Sequence, residues 1–141
     1  MIATVSRHAH FNAAHRLHVD QWSDEQNTEF FGLCNNSEYH GHNYELIVSV
    51  TGAIDPITGY VMDLGVLSDL ITREIEARMD HRNLNTQVPE FKTLNPTSEN
   101  IAAQCWRWLR PHIDTQLQLK VTLYETPRNF VEVSGVEVAE S

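Results

Sequence analysis

Cysteine is scarce. The 141 residues hold two, Cys34 and Cys105, in unlike settings. Two thiols make no disulfide framework, so the chain reads as a cytoplasmic domain with free thiols. Positive charge is scarce as well: 10 Lys and Arg stand against 19 Asp and Glu, a net charge of −9. That argues against a nucleic-acid or anionic-membrane surface, although it leaves room for a local basic pocket. No apolar run approaches the roughly 20 residues of a membrane span. The N-terminus, Met-Ile-Ala-Thr-Val-Ser-Arg-His, lacks the basic-then-apolar pattern of a secretory signal. With 41% apolar and 21% charged residues the composition is that of a soluble globular protein. The length suits one domain, residues 1–141, with a proper core.

Histidine is what the chain has in excess, with eight. Two of them, His40 and His42, flank a single glycine just before a strand-like run. On an extended backbone, residues i and i+2 point to the same face, so both imidazoles can aim at one point. Neutral imidazole is the commonest protein ligand for zinc, and the nearby thiol of Cys34 is a ready acid, base or nucleophile. Catalytic zinc sites use three protein ligands and keep a fourth position open. His15, near the end of the preceding strand, is the best third candidate. His8-Ala9-His10 has the same spacing but no neighbouring thiol, and strict alternation puts His8 and His10 on the face opposite His15. His18 and His112 read as solvated residues. Cys34 sits among polar loop residues, whereas Cys105 falls on the inner face of a helix and reads as a small core residue.

Along the chain, residues 2–17 alternate as a strand. Residues 18–39 form a long polar loop with a short helix near Asp24 to Phe31; loops of that length are usually functional or disordered. Tyr44 to Thr51 is a β-branched, alternating strand. Asp55 to Gly59 is a turn, and Tyr60-Val61-Met62 is expected to extend the sheet. Asp63 then caps a helix running from Leu64 to Met79, with one apolar stripe. Asp80 to Asn95 is expected to be irregular. Thr97 caps a second helix that runs to about Leu109. Leu119 to Glu125 and Phe130 to Val138 are strands joined by the hairpin connection Thr126 to Asn129. The order β-β-α-α-β-β predicts an α+β fold, a four-stranded antiparallel sheet with two helices on one face. Its other face and edges are left to be covered, so oligomerisation is expected.

Further groups admit two readings. Asp80-His81 can relay a proton, or can simply close the first helix. Glu125 can be a surface acid, or can pair with a guanidine-like ring edge such as that of a pterin or purine. Thr97-Ser98-Glu99 is a good helix start that a ligand could also use.

Five blocks in this order resemble the 6-pyruvoyl-tetrahydropterin synthase family. They are Phe11-Asn12-Ala13-Ala14-His15-Arg16-Leu17, Phe31-Gly32-Leu33-Cys34-Asn35-Asn36, His40-Gly41-His42-Asn43-Tyr44, Asp80-His81-Arg82-Asn83-Leu84 and Pro96-Thr97-Ser98-Glu99-Asn100, with Tyr124-Glu125-Thr126 closing the set. The resemblance implies the tunnelling fold, in which subunits join sheets into a barrel and trimers stack as a homohexamer with interfacial sites. It implies Zn2+ on His15, His40 and His42, and Cys34 as the catalytic thiol with Asp80 and His81 as its proton partners. Glu125 would anchor the pterin, with Thr97, Ser98 and Glu99 near the same pocket. The implied substrate is 7,8-dihydroneopterin triphosphate, whose tail Arg16, Arg82 or Arg128 could meet. A sister group, 6-carboxy-tetrahydropterin synthase of queuosine biosynthesis, shares these motifs and substrate but also releases acetaldehyde. Six residues from Cys34 to His40 and the Cys-Asn-Asn start match the pyruvoyl formers; Asn95 to Glu99 looks more like the carboxy group. A non-catalytic zinc or pterin-binding module on the same fold is the remaining alternative.

Overall fold

Two long strands form the spine of the computed structural model, which describes residues 1–135. β1 (Ile2–His15) and β2 (His40–Ala53) pair antiparallel over their full length, from Ile2 opposite Ala53 to His15 opposite His40. Their side chains alternate as the pattern requires. Phe11, Ala13 and His15 are buried with Tyr44, Leu46, Val48 and Val50, while His8, His10 and Asn12 lie exposed on the other face. β4 (Gln118–Tyr124) pairs antiparallel with β2, and β5 (Phe130–Val133) with β4. The β4–β5 turn closes where the Glu125 N–H donates to the Asn129 carbonyl at 3.1 Å.

The four expected antiparallel strands are therefore present, and a fifth is added. β3 (Arg82–Asn83) runs parallel to β1 beside Ala13 and Ala14, making the sheet mixed, in the order β3-β1-β2-β4-β5. Two residues are too few to show a period of two, so composition could not reveal this rung.

Between β1 and β2 lies α1 (Asp24–Phe31), where the short helix was expected, started by a reciprocal Ser23–Gln26 cap. Asp63 opens α2 (Leu64–Ile71), its Oδ1 accepting the Gly65 N–H at 2.8 Å. The expected helix to Met79 continues, but through a wide π turn at Thr72–Glu76 before α3 (Ala77–Met79). α4 (Leu84–Gln87) and a 3₁₀ turn at Pro89–Lys92 then occupy the stretch expected to be irregular. Leu84, Val88 and Phe91 reach into the core from there, and the segment is held by those apolar anchors. α5 (Ser98–Leu109) starts where the Thr97 hydroxyl accepts the Asn100 N–H at 3.2 Å. Helical residues including Leu67, Ile71, Ile75, Ile101, Cys105 and Leu109 bury against Leu46, Val48, Val121 and Leu123. Each such Leu or Ile contributes about 1.5–3 kcal/mol when fully buried.

Three expectations need correction. Tyr60-Val61-Met62 joins no strand: Tyr60 is exposed after the Asp55 to Gly59 turn, where Asp55 Oδ1 accepts the Ile57 and Thr58 N–H groups. β5 stops at Val133, and residues 136–138 of that expected strand lie outside the described residues. His112 is not merely solvated, since its Nε2 stands 3.1 Å from the nearly buried Glu74, which Arg78 also grips at 3.1 Å. Among the described residues no helix is long and apolar enough to cross a membrane.

Candidate metal centre and its surroundings

The β1–β2 ladder ends on a pair of histidines, His15 opposite His40, with His42 one same-face step inward opposite Ala13. Register thus delivers all three imidazoles to one end of the buried face. Ring centroids stand 4.5 Å (His15–His40), 5.1 Å (His15–His42) and 4.9 Å (His40–His42) apart. One nitrogen from each lies within 4.8 Å of the others.

Tautomer and charge both suit a cation. His15 is 1% exposed, and its Nδ1 is 2.7 Å from the Pro96 carbonyl, which can only accept. The proton therefore sits on Nδ1 and leaves Nε2 as a free lone pair turned to the trio. Burial, reinforced by the neighbouring His40 and His42, pushes the His15 pKa down to about 4 against the opposing Pro96 bond. Burial and then His42 lower that of His40 as well. The buried His15 Nε2, both ring nitrogens of His40 and His42 Nε2 have no hydrogen-bond partner. Buried nitrogens left unpaired in this way are costly unless something satisfies them. Three imidazoles converging from a strand pair are the donor set of a tetrahedral site with one open position. The trio can hold a metal ion.

A carboxylate and a phenol border it. Glu125, just past β4, accepts from Ser98 Oγ at 2.5 Å, and its Oε1 stands 3.5 Å from His42 Nε2, too far to satisfy that nitrogen. Thr97 spends its hydroxyl on the helix cap, and Glu99 is exposed in the first turn of α5. Tyr44 is fully buried, with its hydroxyl 3.3 Å from His15 Nδ1 and its ring stacked on Phe11 at 5.0 Å. Burial pushes the Tyr44 hydroxyl well above its ordinary range, and negative charge on Glu125 and Cys34 adds to the shift. Tyr44, Glu125 and the thiol therefore share one electrostatic neighbourhood.

Cys34 is half-buried in a 3₁₀ turn, Gly32–Asn35, stitched to the continuation of β1. The Leu17 N–H donates to the Cys34 carbonyl at 2.9 Å, and Arg16 Nε donates to the Asn35 carbonyl at 2.9 Å. Asn35 Nδ2 returns a bond to the Leu17 carbonyl at 2.8 Å. On the other side Asn85 clasps Arg16 twice, accepting from its N–H and donating to its carbonyl, both at 2.8 Å. His18, expected to be solvated, is partly buried; its ring meets Asn35 at 3.1 Å and its N–H donates to Asn95 Oδ1 at 3.1 Å.

Asp80 and His81 meet each other, but the contacts of each run to β1. Asp80 Oδ1 accepts the Asn12 N–H at 2.9 Å and faces His81 Nδ1 at 3.0 Å; the His81 N–H donates to the Asn12 carbonyl at 2.6 Å. The Asn12 bond and then His81 hold the Asp80 carboxyl below its ordinary range. His81 adopts φ 60°, a left-handed conformation uncommon for a non-glycine residue. His81 borders a groove with Asn12, Gly41, His42 and Asn43, and alternation turns Asn12 and Asn43 to the face opposite the His42 ring. Of the three arginines considered for the tail, Arg16 lies beside the thiol loop, Arg82 lines this groove, and Arg128 sits in the exposed β4–β5 turn. Sequence reasoning missed Tyr44, Asn35, Asn85 and the Pro96 carbonyl. Only the adjacency of Tyr44 to His42, on the same strand face, could have signalled one of them.

The fold and the site together define a class: α+β proteins with a metal-ready three-histidine centre built across a β-hairpin and flanked by a thiol and a carboxylate. A sequence model of the 6-pyruvoyl tetrahydropterin synthase family matches residues 4–136, and the chain belongs to that family. It is 43% identical to human 6-pyruvoyl tetrahydrobiopterin synthase over 94% of this chain and 92% of that one. The solved 6-pyruvoyl tetrahydropterin synthase of Caenorhabditis elegans superposes with a TM-score of 0.91 at 42% identity, covering 96% of this chain and 97% of the other. A more distant relative, a dihydroneopterin monophosphate aldolase of Pyrococcus furiosus, is 32% identical over 94% of this chain and 98% of its own.

Proposed function

We propose that the protein is a zinc-dependent lyase of pterin biosynthesis that converts 7,8-dihydroneopterin triphosphate to a 6-pyruvoyl pterin with loss of triphosphate. The observation that carries this is the trio of buried, partnerless imidazole nitrogens beside Glu125 and the Cys34 turn. The synthase relatives, alike over nearly the whole chain, supply the substrate class.

His15, His40 and His42 would hold the zinc, which when bound supplies Lewis-acid polarisation of the substrate's side-chain oxygens. Glu125, already fixed by Ser98, presents a carboxylate to the amino-pyrimidine edge and sets which end of the substrate meets the trio. Cys34 as thiolate takes a proton from the side-chain carbon next to the polarised oxygen, and hydrogen redistributes within the substrate as triphosphate departs. Asp80 and His81 shuttle protons. Their bonds to the Asn12 backbone, on the edge of β1 away from β2, favour their doing so for the site of a neighbouring copy, in a cytoplasmic homohexamer whose active sites lie between subunits. The free thiols of Cys34 and Cys105 agree with a reducing compartment.

Incubation of zinc-loaded protein with dihydroneopterin triphosphate, with products identified by mass, tests the assignment. A pyruvoyl pterin plus triphosphate is the expected result. A carboxy pterin with acetaldehyde would place the chain with the sister activity instead, and no turnover would leave a binding module.

A further inference from the structure

Three aromatic rings meet at α1, outside the core. Their centroids stand 5.3 Å (Trp22–Phe30), 5.0 Å (Phe30–Phe31) and 6.1 Å (Trp22–Phe31) apart. Phe30 is 70% exposed and Trp22 37%. A single exposed apolar side chain is ordinary, but rings gathered in one patch with a polar rim mark a contact surface.

The patch is held rigid from below. Asn27 is fully buried beneath it; its Oδ1 accepts the Val19 N–H at 2.7 Å, and its amide donates to the Val19 and Ser23 carbonyls at 3.0 and 3.1 Å. With the reciprocal Ser23–Gln26 cap, those bonds lock the turn that carries Trp22 onto α1. Rings ordered in advance lose little freedom when something docks on them.

Charge selects the occupant. A hollow of ≈ 420 Å³ is lined by Trp22, Gln26, Glu29 and Phe30. Asp20, Asp24 and Glu25 are exposed on the same segment, and no Lys or Arg occurs from residue 17 to residue 72. Aromatic faces and carboxylates both attract cations. A nucleic acid or an anionic membrane is repelled, and the same patch on a second copy would set carboxylate against carboxylate. A Lys or Arg next to an apolar residue meets both demands, its charged head at Glu29 and its neighbour on Phe30. We propose that this surface docks a basic segment of another protein, with a Lys or Arg side chain seated in the hollow between Trp22 and Glu29. Because α1 runs straight into the Cys34 turn, the occupied surface adjoins the element that carries the thiol.

A hexapeptide alternating lysine and leucine, titrated calorimetrically into the full chain, is the probe. The wild type binds it, and the glutamate–leucine counterpart does not bind. Phe30→Ala and Glu29→Gln each weaken binding about tenfold; both residues are exposed, so neither change disturbs the core. Glu90→Gln removes the same charge on the Pro89–Lys92 turn and leaves binding unchanged. Sedimentation of Phe30→Ala gives the wild-type assembled mass. The inference falls if the wild type ignores the lysine peptide or takes the glutamate one as tightly. It falls equally if Phe30→Ala and Glu29→Gln bind like the wild type, or if Glu90→Gln weakens binding as much, which would reduce the effect to overall charge. A smaller assembly in Phe30→Ala would make the occupant a second copy and overturn it as well.

Discussion

His15 is tied at Nδ1 to the carbonyl of Pro96, 2.7 Å away in space and 81 positions later in sequence. That one bond orients the imidazole, fixes its tautomer and joins β1 to the entrance of α5. An outer partner of this kind is how proteins set the direction of a metal-binding lone pair.

The first prediction concerns the trio itself. His42→Ala should drop bound zinc from near one ion per chain to near zero, because two imidazoles do not make a stable site. His8→Ala, on the other face of β1, should leave the metal in place. Elemental analysis of dialysed protein decides it, and full zinc content in His42→Ala would disprove the ligand set.

Tyr44→Phe keeps the stack on Phe11 and removes only the hydroxyl 3.3 Å from His15 Nδ1. Its expected effect is a zinc affinity about 10-fold weaker, at the mild end for the loss of an outer partner. Competition with a chelator measures this. Unchanged affinity would leave Tyr44 a packing residue only.

The metal-free protein should lose stability on acidification. His15 titrates at about 4 in the folded state against 6.5 for the unshifted group. Between those values the unfolded chain binds more protons, so stability falls as pH drops through that window and levels off below it. The loss from His15 approaches about 3 kcal/mol, and the lowered His40 acts in the same direction. Urea unfolding with chelator at pH 7, 5.5 and 4.5 reads it. A midpoint independent of pH, or one that rises towards acid, contradicts the prediction.

Asn85→Ala removes both bonds to the Arg16 backbone and leaves the partly buried groups unpaired. A cost of about 2 kcal/mol is expected. Because that segment carries the bonds that hold the Cys34 turn, alkylation of Cys34 by iodoacetamide should also quicken. Destabilisation with no change in alkylation would show that the clasp serves folding alone.

How far the sequence carried can be seen at particular residues. Period two put Phe11, Ala13 and His15 on one face and His8 and His10 on the other, and the strands keep that division. Caps at Ser23, Asp63 and Thr97 are local chemistry, but only Asp63 and Thr97 were read as caps. What stayed hidden depends on partners far along the chain. The pairing of His15 with His40 is a matter of register across a long excursion. Asn35 and Asn85 act through bonds to backbone groups 18 and 69 positions away, and the Pro96 carbonyl through a bond to a ring 81 positions away. Such bonds leave no period. Asp80 and His81 were legible as a pair, but which face of β1 they attend was not.

β1 leaves the sheet at His15 and β2 re-enters at His40, on the same rung. Everything between them, residues 16–39 with Cys34, is a closed detour whose two ends are pinned together by the ladder. Lengthening or reshaping such a detour costs little, since closure entropy grows only logarithmically with length. The three histidines that can hold a metal lie outside it, two of them at its very ends. Evolution, or a protein engineer, could therefore exchange the thiol-bearing segment as a cassette while the imidazole frame stays put. A synthase and an aldolase sharing one ancestry is an outcome such a construction permits.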